Sequence, residues 1–311
     1  PPSANRILPL RVYLFFTWAA VGASLFAISL FARSGSVTAV PIIFFVFLVT
    51  PFLCVQLWIS IGERDHWGPR IARTIPAAGL LRPLAFLFYT GSAGGIIYSV
   101  GLIVATLVGS LFWVEAFIAN RPTAGLPGVE WDAALGMIRV MAFIALYSYC
   151  FGLSAILVRQ HLLANQLKPS YTWLIAALLV GLGSSIPSCI AYIAFSEQVK
   201  YQTDPGWWSL TNPIYALFEV CHDFPRSRYG EFETLLAWFL GIWAVLVSVL
   251  CLPAMVAQMR RFRPLKRRDE EAARVVLLES NPVGEPRSPA AGPQPGAYPV
   301  TAIQPAAEGQ P

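Results

Sequence analysis

Six long, mostly apolar stretches dominate the chain, at about 12–32, 39–61, 84–120, 137–158, 172–195 and 235–259. An α-helix needs roughly 20 such residues to cross the hydrocarbon core of a bilayer, and only helices and closed barrels satisfy their backbone groups there. The pattern therefore predicts an all-α polytopic membrane protein with six transmembrane helices. Composition agrees, since 56% of the 311 residues are apolar and only 13% are charged, about half the charged share of an average soluble domain.

The first run reads as a span rather than a cleavable signal, because it is long enough to cross and another run follows at once. The third, 84–120, is too long for one upright helix. Its only candidate turn, Gly91-Ser-Ala-Gly-Gly95, is far from the middle, so we expect one tilted helix, kinked near those glycines, whose end at 112–119 extends beyond the membrane. The fifth contains Gly181, Gly183, Ser184, Ser185, Pro187 and Ser188. Small residues let helices approach closely, and Pro187 predicts a kink whose freed carbonyl a serine could satisfy. Gly183, Ser184, Pro187 and Ser188 thus read either as a packing face or as part of a substrate path.

Lysine and arginine set the orientation. Fourteen lie in the amino end, the 62–82 segment, the 159–171 loop and the residues directly after span six, against six on the opposite side. Both ends and the 62–82 segment are therefore expected in the cytoplasm. Residues 1–268 form the membrane domain. The segment 269–311, rich in Pro, Ala, Gly and Glu without apolar periodicity, is expected to be a disordered cytoplasmic tail.

The 62–82 segment is a charged island of Arg64, Arg70, Arg73 and Arg82 against Glu63 and Asp65. Pro69 suits the first helical position and Pro76 cannot continue a helix, which predicts a short helix over 69–75. Ile71 and Ile75 share one face and Arg70 and Arg73 another, with Trp67 as an interfacial anchor. The island reads as a docking element for a soluble partner or as a plain basic loop.

The longest external connection, 197–233, is net acidic and contains GWWSLTNPIYALFEVC. Asn212 is a good N-cap and Pro213 a good first residue, so a helix should begin there. Ile214, Leu217, Phe218 and Cys221 then form one apolar face. With Trp207 and Trp208 preceding it, this reads as a re-entrant or interfacial outer helix, capping the bundle or merely anchoring it.

Several function classes lack their chemistry. The span cores carry no ionisable residue, which disfavours ion-coupled transport. GxxxxGK[ST], HExxH and GxSxG do not occur, five scattered cysteines form no CxxC pair, and three dispersed histidines have no metal-ligand spacing. No cofactor, metal or catalytic site is expected in this chain. An enzyme would have to use the outer cluster His222, Asp223, Arg226 and Arg228. No basic stripe with interleaved aromatics points to nucleic acid.

The arrangement resembles the permease subunits of type-2 ABC transporters, the export-type ABC family. The resemblance rests on six spans with cytoplasmic ends, on Glu63 with Thr74-Ile75-Pro76 downstream in the coupling position between spans two and three, and on Trp208-Ser-Leu-Thr-Asn212-Pro213-Ile-Tyr-Ala216-Leu217 between spans five and six. It covers about residues 10–260. It implies a bacterial inner-membrane permease paired with a second copy or paralogue and driven by a separate ATPase subunit, which would hold ATP and magnesium. It further implies that Glu63, Trp67, Arg70, Ile71, Arg73 and Ile75 belong to the coupling element, and that Trp208, Asn212, Pro213, Leu217 and Phe218 belong to the outer re-entrant element. The alternative is a non-transporting accessory or scaffold subunit of a larger complex.

Overall fold

The computed structural model of the protein describes residues 4–31, 35–63, 69–76, 81–89, 91–119, 129–163, 167–195, 207–222 and 231–264. All described residues belong to one unit, Pro1–Pro264, so the tail expected at 269–311 lies outside them.

The described residues are helical throughout and contain no strand. In chain order the helices are α1 (Ala4–Phe31), α2 (Gly35–Ile61), α3 (Pro69–Thr74), α4 (Leu81–Phe88), α5 (Ser92–Ala119), α6 (Val129–Leu157), α7 (Thr172–Phe195), α8 (Pro213–His222) and α9 (Glu231–Arg261). A π-turn, Val158–Leu162, extends α6, and 3₁₀ turns at Pro169–Tyr171 and Trp207–Thr211 precede α7 and α8. Six helices carry windows long and apolar enough to cross a membrane, as their composition requires: α1, α2, α5, α6 with its π-turn, α7 and α9.

The third apolar segment departs from expectation. It is two helices rather than one kinked helix, because α4 stops at Phe88 and α5 restarts at Ser92. Gly91 has φ of 144°, a backbone region that residues with a Cβ rarely adopt, so the helix cannot run through it. Only α5, over Ser92–Glu115, is long enough to span. The crossing count and the directions of the later spans are unchanged.

The bundle is built around α6, 61% of whose apolar window is buried, whereas α1 is peripheral with 6%. Lipid tails are as apolar as leucine, so such helices are held mainly by close packing rather than by expulsion from water. One core cluster joins Val46 of α2, Tyr147 and Phe151 of α6, Ala216 of α8, and Leu236 and Leu240 of α9. A second joins Leu57 and Ile61 of α2, Leu153 and Ala155 of α6, Ala176 of α7 and Cys251 of α9. Tyr149 of α6 and Ser248 of α9 share a 2.7 Å hydrogen bond that further ties the two helices.

Contacts at the helix ends follow an up-and-down path. One end gathers the start of α1, the end of α2, the start of α5 and the end of α9 through side chains described below. Arg159 in the π-turn is buried there and donates to Thr172 Oγ1 at the start of α7 at 2.7 Å, so this cation is packed inside the protein rather than displayed in a loop. At the far end Phe26 of α1 meets Trp113 of α5 edge to face, and Arg139 of α6 lies 3.6 Å from Glu233 of α9.

Candidate functional site

The end of the bundle that carries the island is organised by one buried ion pair. Glu63 follows directly on α2, where the N–H groups of Gly62 and Glu63 still bond the carbonyls of Ile59 and Ser60, each at 3.1 Å. This fixes the carboxylate inside the bundle, where Glu63 is 6% exposed. Its Oε1 accepts from Arg11 Nη2 at 2.5 Å and its Oε2 accepts from the Gly91 N–H at 2.9 Å. Arg11 is fully buried on α1, inside the apolar window Ile7–Ile28. Its Nη1 donates to the carbonyls of Leu87 at 2.9 Å and Tyr89 at 2.5 Å, and the Tyr98 hydroxyl donates to the Arg11 carbonyl at 2.7 Å.

The pair therefore occupies the break between α4 and α5, satisfying carbonyls at the end of one helix and an N–H at the start of the next. Helix termini buried without partners are costly, so a bidentate cation and a two-oxygen anion at this break are both used. The glycines make room for them. A Cβ on Gly95 would lie 2.6 Å from the Ser60 side chain and against the Arg11 guanidinium, and one on Gly94 would run into the Phe86 carbonyl oxygen.

Short links carry this hub to the surface helix α3 and to α9. The Tyr89 hydroxyl donates to the Thr74 carbonyl at 2.9 Å, and the Thr74 hydroxyl donates to the Ile71 carbonyl at 2.8 Å. Gln258 of α9 accepts from the Ala93 N–H at 2.8 Å, while Arg82 Nε donates to the Phe262 carbonyl at 2.6 Å. The buried Phe262 ring packs against Phe86 and Tyr89.

The expected docking residues therefore separate. Glu63 and Ile75 are buried within the chain, with Ile75 4% exposed, so neither forms part of an outward face. Ile71 is half-buried and Arg73 exposed, and Ala72 is the buried neighbour that seats α3. The i, i+4 pairing of Ile71 and Ile75 does not give one outward stripe because α3 ends at Thr74 and Ile75 turns into the protein. Trp67 lies outside the described residues, and Arg70 is described in its backbone only.

Sequence reasoning missed Arg11, which it had placed among the basic residues of the amino end. The signal was present: an arginine this far into an apolar helix requires a buried partner. Gln258 gave no comparable signal.

At the far end, two clusters singled out separately in the sequence meet. Asn212 caps α8, its Oδ1 accepting from the N–H groups of Ile214 and Tyr215, both at 3.1 Å. Its Nδ2 donates to the Ser184 carbonyl at 3.1 Å and to Ser188 Oγ at 2.9 Å, and Ser188 Oγ donates to the Ser184 carbonyl at 2.8 Å. The serine thus serves the carbonyl one residue beyond the Gly183 carbonyl that Pro187 deprives of its N–H. A Cβ on Gly183 would lie 3.1 Å from both the Phe151 ring and the Thr211 carbonyl oxygen, so this glycine lets the outer turn settle on α7.

The expected apolar face of α8 lies mostly outward, the side that a helix anchored in the outer leaflet would present. Ile214 and Phe218 are 71% and 66% exposed, Cys221 is exposed and Leu217 half-buried; Pro213, Ala216 and Val220 face the bundle instead. Ala216 and Val220 are the α8 residues that join the core cluster, while Asn212 ties the start of the helix to α7. Trp208 falls in the 3₁₀ turn and its side chain is outside the description, as are residues 223–230 of the outer His-Asp-Arg cluster. Among the described residues no group of His, Cys, Asp and Glu is arranged to hold a metal ion. No protein-family model matches the chain, and neither a curated protein nor a solved structure shows significant similarity to it.

Proposed function

We propose that the chain is the permease subunit of an ATP-driven exporter of the type-2 ABC class, in which a separate ATPase grips α3 and a second permease completes the translocation path. The observation that carries this reading is the wiring of the island end. A force on α3 reaches α4 through Thr74 and Tyr89, then α1 and α2 through Arg11 and Glu63, and α5 through Gly91. A docking helix linked to several spans by direct polar contacts, including the buried Arg11–Glu63 pair, can transmit motion into the bundle. The exposed Arg73 would meet acids on the partner, and the half-buried Ile71 would sit at the contact edge.

Affinity purification of the full chain from its native membrane tests the proposal. An ATPase subunit should accompany it, and Arg73→Glu combined with Ile71→Asp should remove that subunit while leaving membrane insertion intact. Purification with other membrane proteins but no ATPase would support the accessory-subunit reading instead.

A further inference from the structure

The peripheral helix α1 meets α5 through side chains, Trp18 with Thr106 and Phe26 with Trp113, but leaves space between these contacts. Between them, with α2 as the floor, lies a cleft of about 300 Å³ running from Trp18 to Phe26 along α1 and from Ala105 to Trp113 along α5. Eight residue steps along a helix are about 12 Å, close to the depth of one leaflet of the hydrocarbon core. Its polar lining is sparse. The Trp18 indole donates to Thr106 Oγ1 at 2.9 Å and Thr106 donates to the Leu102 carbonyl at 2.8 Å, so these two groups are satisfied within the protein.

Ser110 is not. It is 6% exposed, lines the cleft and makes no side-chain hydrogen bond to any described residue. A serine inside a membrane helix ordinarily bonds back to the carbonyl four residues earlier, as Thr106 does, whereas the Ser110 hydroxyl stays available to a group in the cleft that it lines. The cleft is open sideways, because Ala105 and Gly109 are exposed and a Cβ on Gly109 would meet nothing within 4 Å.

From this we infer that the α1–α5 cleft is a binding site for one ester-linked acyl chain of a glycerolipid in the adjoining leaflet. The chain lies along the apolar wall and an ester carbonyl oxygen accepts from the Ser110 hydroxyl. The ligand need have no charge, since no ionised group lines the cleft. A bound chain also supplies α1 with packing that the protein itself does not provide, given how little of its window is buried. The inference stands independently of any ATPase partner.

The test uses full-length protein in phosphatidylcholine vesicles doped with phosphatidylcholine that carries a diazirine midway along one palmitoyl chain. After irradiation and digestion, adducts should concentrate on residues 18–26 and 105–113, well above the lipid-facing stretch of α9 around Val245, Leu246 and Val249. Gly109→Leu should deplete the cleft adducts several-fold without changing those on α9. Gly101→Leu, also on α5 with open space at its Cβ but outside the cleft, should leave both unchanged. Ser110→Ala should weaken cleft labelling by about fivefold, the worth of one hydrogen bond. If Gly109→Leu does not insert, Ala105→Leu serves as the blocking variant. Cleft labelling no denser than on α9, equal effects of the blocking and control variants, or displacement by cholesterol but not by unlabelled phosphatidylcholine would overturn the inference.

Discussion

Replacing Glu63 by alanine strands Arg11, whose guanidinium is fully buried and draws its only counter-charge in the described structure from Glu63 at 2.5 Å. Removing one member of a buried pair typically costs about 3–5 kcal/mol, because the remaining charge stays desolvated. Here the Gly91 N–H also loses its acceptor, a loss of about 1–3 kcal/mol that overlaps the first figure rather than adding fully to it. Glu63→Ala should therefore destabilise by about 3–5 kcal/mol. The double variant Arg11→Met with Glu63→Met should recover most of that, leaving about 1–3 kcal/mol from the orphaned backbone groups. Equilibrium unfolding in mixed micelles, followed by tryptophan fluorescence, measures Glu63→Ala together with the four members of the cycle: the unsubstituted protein, Arg11→Met, Glu63→Met and the double variant. A Glu63→Ala cost below about 1 kcal/mol, the range of an exposed ion pair, would refute the reasoning, as would a double variant equal to the sum of the singles.

Gly95→Ala should cost about 1–3 kcal/mol by overpacking against Ser60 and Arg11, whereas Gly101→Ala, whose Cβ meets nothing, should be neutral or slightly stabilising in the same assay. Asn212→Ala should loosen the outer helix by about 1–2 kcal/mol and speed amide exchange over 213–222. Asn212→Asp keeps the cap on Ile214 and Tyr215 but loses the amide donation to Ser184 and Ser188, so it should detach α8 from α7 while leaving α8 helical.

Much of this architecture was legible in the sequence because its signals are local. Apolar run length marks the spans, and the fifth, expected at 172–195, coincides with α7. Asn212-Pro213 announces the start of α8 by cap chemistry that involves only neighbouring residues. What failed to read through depends on partners distant in sequence. Gly91 could have been a kink or a stop, and the Glu63 carboxylate on its N–H and Arg11 on the two preceding carbonyls favour the stop. The stripe Ile214, Leu217, Phe218 and Cys221 forms one face, as its periodicity predicts, but periodicity does not say which way it points, and most of it lies outward. In a membrane protein an apolar stripe can face lipid, so periodicity alone does not choose the inward side. The island followed the same logic, since burial of Ile75 is decided by where α3 ends rather than by its i, i+4 relation to Ile71.

A soluble ATPase could reach α3 only if the island end of the bundle lies in the cytoplasm. Two chains that each carry a single cysteine on a cysteine-free background, at Arg73→Cys and at Ser34→Cys, can be treated with a membrane-impermeant maleimide in intact cells and in inverted vesicles. The account predicts that Arg73→Cys is protected in cells and labelled in inverted vesicles, with the opposite result for Ser34→Cys. Labelling of Arg73→Cys from outside intact cells, or the same sidedness at both positions, would contradict it.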